Sequence, residues 1–290
     1  MTEVMQSHST GIRNLNFDEY KKINIVFPSI SEQKKIVAKL DKFSENIKRL
    51  EDAARKNLQN AKDLFNSVLN ETFKNKSAVA NDNRQVYKKT HWEVKKLGEV
   101  CQFIRGLTYS KKDEVISSSN VVLRANNIDL STNFLDFSEL KYISGTIKIP
   151  ASKKVRKDSI LICTASGSKN HLGKVAFIEK DYPYAFGGFM GLIVPFEEIF
   201  SKFLFYIFNS SEYRKFINCL TNGVNINNLR FSQLAEFRFQ LPELNDQKKI
   251  VARLDKLSAE TKKLEIVYQK KIDGLAELKK SVFKQTFDCG

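Results

Sequence analysis

Residues 27–42, FPSISEQKKIVAKLDK, return at 241–256 as LPELNDQKKIVARLDK, and the likeness continues at one constant offset to Phe73 and Phe287. Roughly 20 of about 47 aligned positions are identical without a gap, and a period this long is a duplicated unit rather than a solenoid. Each copy reads as a long helix. Pro28 and Pro242 close an extended segment, Ser31 and Asn245 stand where an N-cap belongs, and Glu32 and Asp246 suit the positive helix end.

Ile36, Leu40, Phe43, Ile47, Leu50, Leu58 and Phe65 recur at helical spacings in the first copy, and Ile250, Leu254, Leu257, Leu264, Ile272, Leu275 and Val282 in the second. A lone helix cannot bury such a seam, so the copies are expected to be each other's partner in an antiparallel two-helix coiled coil. At ~1.5 Å per residue, a helix of about 45 residues spans roughly 65 to 70 Å, which makes the pair a spacer.

Everything between the helices then projects from one end of the spacer. KNKSAVANDNRQ at 74–85 is a polar linker. Short β-like runs follow, VVLRANNI, LKYISGTIKI, SILICTASG, KVAFIEK and FMGLIVP, separated by Asn, Ser, Gly and Lys clusters. Residues 196–221 read as one helix, and TNGVNINN turns the chain back into a closing strand. The expectation is a mixed α/β domain, of α+β type, over 84–241, with spacer helices at 31–76 and 245–288. Residues 1–30 parallel the end of that domain, pairing Ile12 with Ile226, Asn14 with Asn228 and Phe17 with Phe231, so they read as the closing part of another such domain. Ile23, Ile25 and Phe27 alternate as its last strand should.

Net charge is +15, and residues 84–241 carry 23 Lys+Arg against 14 Asp+Glu, which points to a polyanionic partner. A solvated basic surface is the plain alternative. Cys101, Cys163, Cys219 and Cys289 stand alone, without C-x-x-C spacing or a His pair, so they read as buried reduced thiols and no metal site is expected. No apolar run is long enough for a membrane span.

Catalytic patterns are missing. GSKNHLGKV at 167–175 imitates a P-loop, yet its glycines are spaced wrongly and Val175 replaces the magnesium-binding hydroxyl. Binding chemistry is better represented. Ser166, Ser168, Lys169, Asn170, His171 and Lys174 share one loop, Arg105, Thr108, Tyr109, Lys111 and Lys112 another, and Arg124, Asn126 and Asn127 follow a strand. Asn225 and Asn227 lie in the turn before the closing strand. Such residues suit phosphates and base edges, since Arg reads guanine and Asn reads adenine bidentately, although Asn, Ser and Gly also fill loops for purely local reasons.

Together, WEVKKLGEV (Trp92 to Val100), the Thr164-to-Lys174 loop and the repeated QKKIVA-x-LD helix resemble the DNA specificity subunits of type I restriction-modification systems. The resemblance implies a non-catalytic protein that reads a split site in double-stranded DNA through target-recognition domains. It also implies methyltransferase subunits as partners, and motor-nuclease subunits in the larger complex. S-adenosylmethionine, ATP and Mg would be held by those partners and no cofactor by this chain, in the bacterial cytoplasm at the nucleoid. One recognition domain is expected here instead of two, so association with a second copy or another specificity chain is anticipated. The alternative is an interaction module or decoy that binds methyltransferase subunits without reading DNA.

Overall fold

The structure, a computed structural model, describes residues 5–7, 13–15, 17–23, 28–74, 92–167, 171–221 and 228–287. In chain order, strands β1 (Met5–Ser7) and β2 (Arg13–Leu15) pair antiparallel and are followed by the short helix α1 (Phe17–Lys21). The strand expected at Ile23 to Phe27 lies outside the described residues except for Ile23, which is exposed.

The first long helix, α2 (Ile30–Phe73), starts one residue after Ser29 rather than at Ser31. Ser29 Oγ accepts from Glu32 N at 3.3 Å while Glu32 Oε2 accepts from Ser29 N at 3.0 Å, a reciprocal cap of two orphan donors. Serine three residues before glutamate is the sequence mark of that cap, and it moves the boundary.

The intervening body begins with β3 (Glu93–Lys96), the one-turn helix α3 (Leu97–Val100) and β4 (Cys101–Arg105). It continues through β5 (Glu114–Val115), β6 (Asn120–Leu123), β7 (Lys141–Ile143), β8 (Ser159–Cys163), β9 (Val175–Ile178), β10 (Ala185–Phe186) and β11 (Met190–Pro195). Helices α4 (Ser201–Phe208), α5 (Ser211–Thr221) and α6 (Phe231–Ala235) lead to β12 (Arg238–Leu241), which closes the body by pairing antiparallel with β3. The second long helix, α7, covers Leu244–Phe287, so Asn245 lies inside it.

Two four-stranded sheets form the body, ordered β4-β11-β8-β9 and β10-β6-β7-β5. Side chains alternate across a strand, and β8 and β9 use both faces. Ile160, Ile162, Val175 and Phe177 join a core with Phe203, Leu204, Tyr213 and Ile217 of α4 and α5. Leu161, Cys163, Ala176 and Ile178 join another with Val121, Leu123 and Phe186 of the second sheet. The layers are therefore helices, sheet and sheet, which explains why SILIC is apolar at four of its five positions and buried throughout.

The single helix expected over 196–221 is two. Ser210 ends α4 and begins α5, its hydroxyl donating to Ile207 O at 2.6 Å, and Ser211 N finds Asn70 Oδ1 at 2.8 Å. Cys101 and Cys163 are buried, whereas Cys219 is exposed on α5 and departs from the buried-thiol expectation.

The chain divides into two compact units, Met1–Asn60 with Leu264–Gly290, and Ala61–Lys263. One unit takes the start of α2 and the end of α7; the other takes the end of α2 and the start of α7. That is the order of an antiparallel pair. Within the larger unit, Leu69 and Phe73 share a core with Ile250, Val251 and Leu254. Of the expected seam, Ile47, Ile250, Leu254, Ile272 and Leu275 are buried, and Ile36, Leu40, Phe43, Leu58, Phe65, Leu257 and Val282 are half-buried. Leu50 and Leu264 are exposed instead. At 3.6 residues per turn Leu50 stands about 60° to one side of Ile47, outside the buried line that Ile47, Ala54 and Ala61 hold.

The two copies of QKKIVA-x-LD differ in their surroundings. Gln33 and Gln247 each donate to the proline carbonyl five residues back, Pro28 O and Pro242 O, at 2.9 Å. Gln247 also donates to Glu198 O at 2.9 Å and accepts from Phe200 N at 2.8 Å, which fastens the start of α7 to the body. Asp255 completes the clasp by accepting from Lys202 Nζ at 2.9 Å and from the Tyr206 hydroxyl.

Candidate nucleic-acid interface

Four segments far apart in sequence converge on the turn Gly187-Gly188-Phe189 between β10 and β11. Gly106 N donates to Met190 O at 3.1 Å and Leu107 N to Phe186 O at 2.7 Å, which brings in the loop after β4. Gly187 N donates to Leu123 O at 2.9 Å, which brings in the end of β6. Phe189 O accepts from Thr164 N at 2.9 Å, Ala165 N at 3.1 Å and Thr164 Oγ1 at 2.9 Å. The same segment carries the fourth, since Leu229 N donates to Thr164 O at 2.6 Å and Ala165 bridges Asn228. A Cβ on Gly106 would lie 1.9 Å from Gly187 O, so only glycine permits this approach.

Arg105, Thr108, Tyr109, Arg124 and Ser166 are thereby carried on backbone that meets at one place. Arg105 is exposed, its guanidinium 5.8 Å from the Phe231 ring centroid and its carbonyl accepting from Lys153 Nζ at 2.6 Å. Thr108 is exposed beside Gly188. Tyr109 is half-buried against Val122, Ile143 and Ala185, and burial, aided by Glu114, pushes its phenol up. Lys111 and Lys112 are exposed on a single 3-10 turn closed by Ser110 N donating to Asp113 Oδ2 at 2.6 Å.

Arg124 and Asn126 share the exposed carboxylate of Glu139. Asn126 Nδ2 donates to Glu139 Oε2 at 3.0 Å, and Arg124 Nη2 lies 3.7 Å from Oε1. Arg124 Nε is buried without an acceptor.

Two expected contact residues have other work. Asn127 is buried, accepting from Arg124 N at 2.9 Å and donating to Asp136 O and Glu139 O at 2.9 and 2.7 Å, so its amide is consumed by the turn. Lys174 is 4% exposed at the entry to β9; burial pushes its ammonium down, opposed by nearby Asp129. A side chain so enclosed is no surface cation. His171 is half-buried. Ser168, Lys169, Asn170, Asn225 and Asn227 lie outside the described residues.

Sequence reading passed over Phe189 and Glu139. AFGGFMG holds the signal for the turn, two glycines between apolar runs, but in sequence Phe189 reads as the start of the following strand. Among the described residues no group of three or more His, Cys, Asp or Glu side chains is placed to hold a metal, and no helix is long and apolar enough to cross a membrane.

The sequence model of the type I restriction modification DNA specificity domain matches residues 1–60 and 89–272. The specificity subunit of the type I restriction enzyme EcoKI from Escherichia coli strain K12 is 32% identical over 172 residues, 58% of this chain and 36% of that subunit. This chain thus spans well under two thirds of that relative. Two solved structures share the fold at 18% identity, each covering 97% of this chain. One is a chain of the type I R-M system described for its complex assembly and conformational transition, 66% covered, with a TM-score of 0.74. The other is the HsdS subunit from Thermoanaerobacter tengcongensis, 64% covered, with a TM-score of 0.58.

Proposed function

The chain belongs to the type I restriction modification DNA specificity domain family, and from that membership we propose that its body, residues 84–241, reads one half of a split duplex target. The carrying observation is the convergence of four polar loops on the 187–189 turn of a strongly basic chain. Exposed Arg105, Lys111 and Lys112 supply phosphate contacts, and Arg124 with Asn126 supplies base-edge donors.

Helices α2 and α7 serve as spacer and as the scaffold for methyltransferase subunits, and for motor-nuclease subunits in the larger assembly. Ile30, Val37, Ile266 and Val267 are exposed along them, and apolar groups on charged helices suit protein partners. Chemistry belongs to those partners, which hold S-adenosylmethionine, ATP and Mg, and this chain performs none. Residues 1–30 act as the closing part of a further recognition domain, and a second copy or another specificity chain is a further partner. The setting is the cytoplasm, at the nucleoid.

The test is binding of the full chain, with its methyltransferase subunits, to duplex DNA across a salt series. Affinity should fall steeply with salt, with Arg124→Ala weakening binding by about 1–3 kcal/mol and relaxing preference at one base pair. Salt-insensitive association overturns the reading. Co-assembly with methyltransferase subunits and no sequence preference favours the decoy.

A further inference from the structure

Phe189 stands out among the apolar residues of the body. Its ring is 74% exposed, while Phe186 and Met190 on either side are fully buried. Exposure alone means little, since single apolar side chains are common on surfaces. Ile116 is more exposed still, just past the edge strand β5. The difference lies in the backbone. Phe189 O is held by Thr164 N, Thr164 Oγ1 and Ala165 N, Met190 N returns to Gly187 O at 2.8 Å, and Gly187 is locked under Leu123 O. A rigid platform thus holds an outward ring that its own core does not use, between the loops carrying Thr108 and Ser166.

Resting on the reading of this body as a DNA reader, we propose that Phe189 is an apolar wedge that enters a base step of the bound duplex. A phenyl ring has no donor or acceptor for base edges; what it can recognise is a base plane, reached by partly unstacking two neighbours. Pyrimidine–purine steps open most easily, so the wedge reads a TA or CA/TG step through its deformability. Preorganisation by three hydrogen bonds lowers the ordering cost of insertion.

The full chain, with its methyltransferase subunits, is used to select duplexes from a random library, and 2-aminopurine then replaces each adenine of the selected sequence in turn. With wild-type protein, fluorescence rises at one pyrimidine–purine step; with Phe189→Ala the rise is lost and affinity for that duplex falls about ten- to hundredfold. Phe189→Trp keeps both, and since the ring is exposed the melting temperature of each variant stays at the wild-type value. Absence of a bright step with wild-type protein, or an equal rise with Phe189→Ala, overturns the wedge while leaving the DNA reading intact. Failure of the wild-type chain to select any sequence overturns the DNA reading, and the wedge with it.

Discussion

Val37 and Val251 occupy the same place in two copies of one motif, yet Val37 is 55% exposed and Val251 is 3% exposed. Val251→Ala should therefore cost about 2 kcal/mol, and Val37→Ala should stay within about 0.5 kcal/mol of wild type, as read from urea midpoints. Equal costs would mean that the two environments are alike. Asp129 offers a test with a pH signature. Its carboxylate accepts from Ser131 N at 2.8 Å and Thr132 Oγ1 at 2.7 Å, and these bonds, Ser131 N first, hold its pKa below the ordinary carboxylate value. A depressed folded pKa gives stability that is present above the unfolded value and lost as pH falls through the folded one. Asp129→Asn should thus lower the melting temperature at pH 7, and the gap should close toward pH 3; a gap of constant size counts against this account. At this scale the sequence was only half legible. Arg105 and Thr108 stood in a loop that reaches the surface, but nothing in RANN distinguishes Asn126, which faces outward, from Asn127, which is spent on backbone carbonyls. Lys174 misled because a Gly-Lys pair after a polar loop looks alike whether the lysine faces solvent or enters a buried strand.

Periodicity is legible in the long helices because a repeating pattern averages over its own exceptions. It could not assign Leu50, since a spacing of three or four is met equally by a residue at the centre of a seam and by one at its edge. Ile47 and Leu50 make the comparison direct. Ile47→Ala should destabilise by about 2–5 kcal/mol and Leu50→Ala by less than about 1 kcal/mol, with thermal loss of helical circular dichroism as the readout. A reversal of that order would shift the seam by one face. The break between α4 and α5 was hidden for a different reason. IFNSSEY contains no proline or glycine, and the restart depends on Asn70, which caps Ser211 N from 141 residues away in sequence. Capping by a distant side chain leaves no local mark.

For the whole molecule, the duplication carried most of the information. Two copies at a fixed offset implied paired helices, a body between them and the tail of another before them, all without any knowledge of a sheet. The internal order of the strands was out of reach, because β6 lies between β7 and β10 and β11 lies between β4 and β8 through contacts that connect distant segments. The convergence at 187–189 is a product of that order, so it too was invisible as a site while its separate loops were visible as candidates.

The contact of Gly106 with Gly187 O has a further consequence, for how such a protein can diversify. Backbone touches backbone there, so a side chain at Gly106 has no neighbouring rotamer through which it could be absorbed, whereas a Cβ on Gly187 would meet its nearest neighbours only at 3.6 Å. Variation is channelled outward to 108–112, 166–167 and 188–189, where side chains can change without untying the knot beneath. A combinatorial library that fixes Gly106 and randomises the tips should retain folded members in bulk, whereas one that randomises Gly106 should lose them.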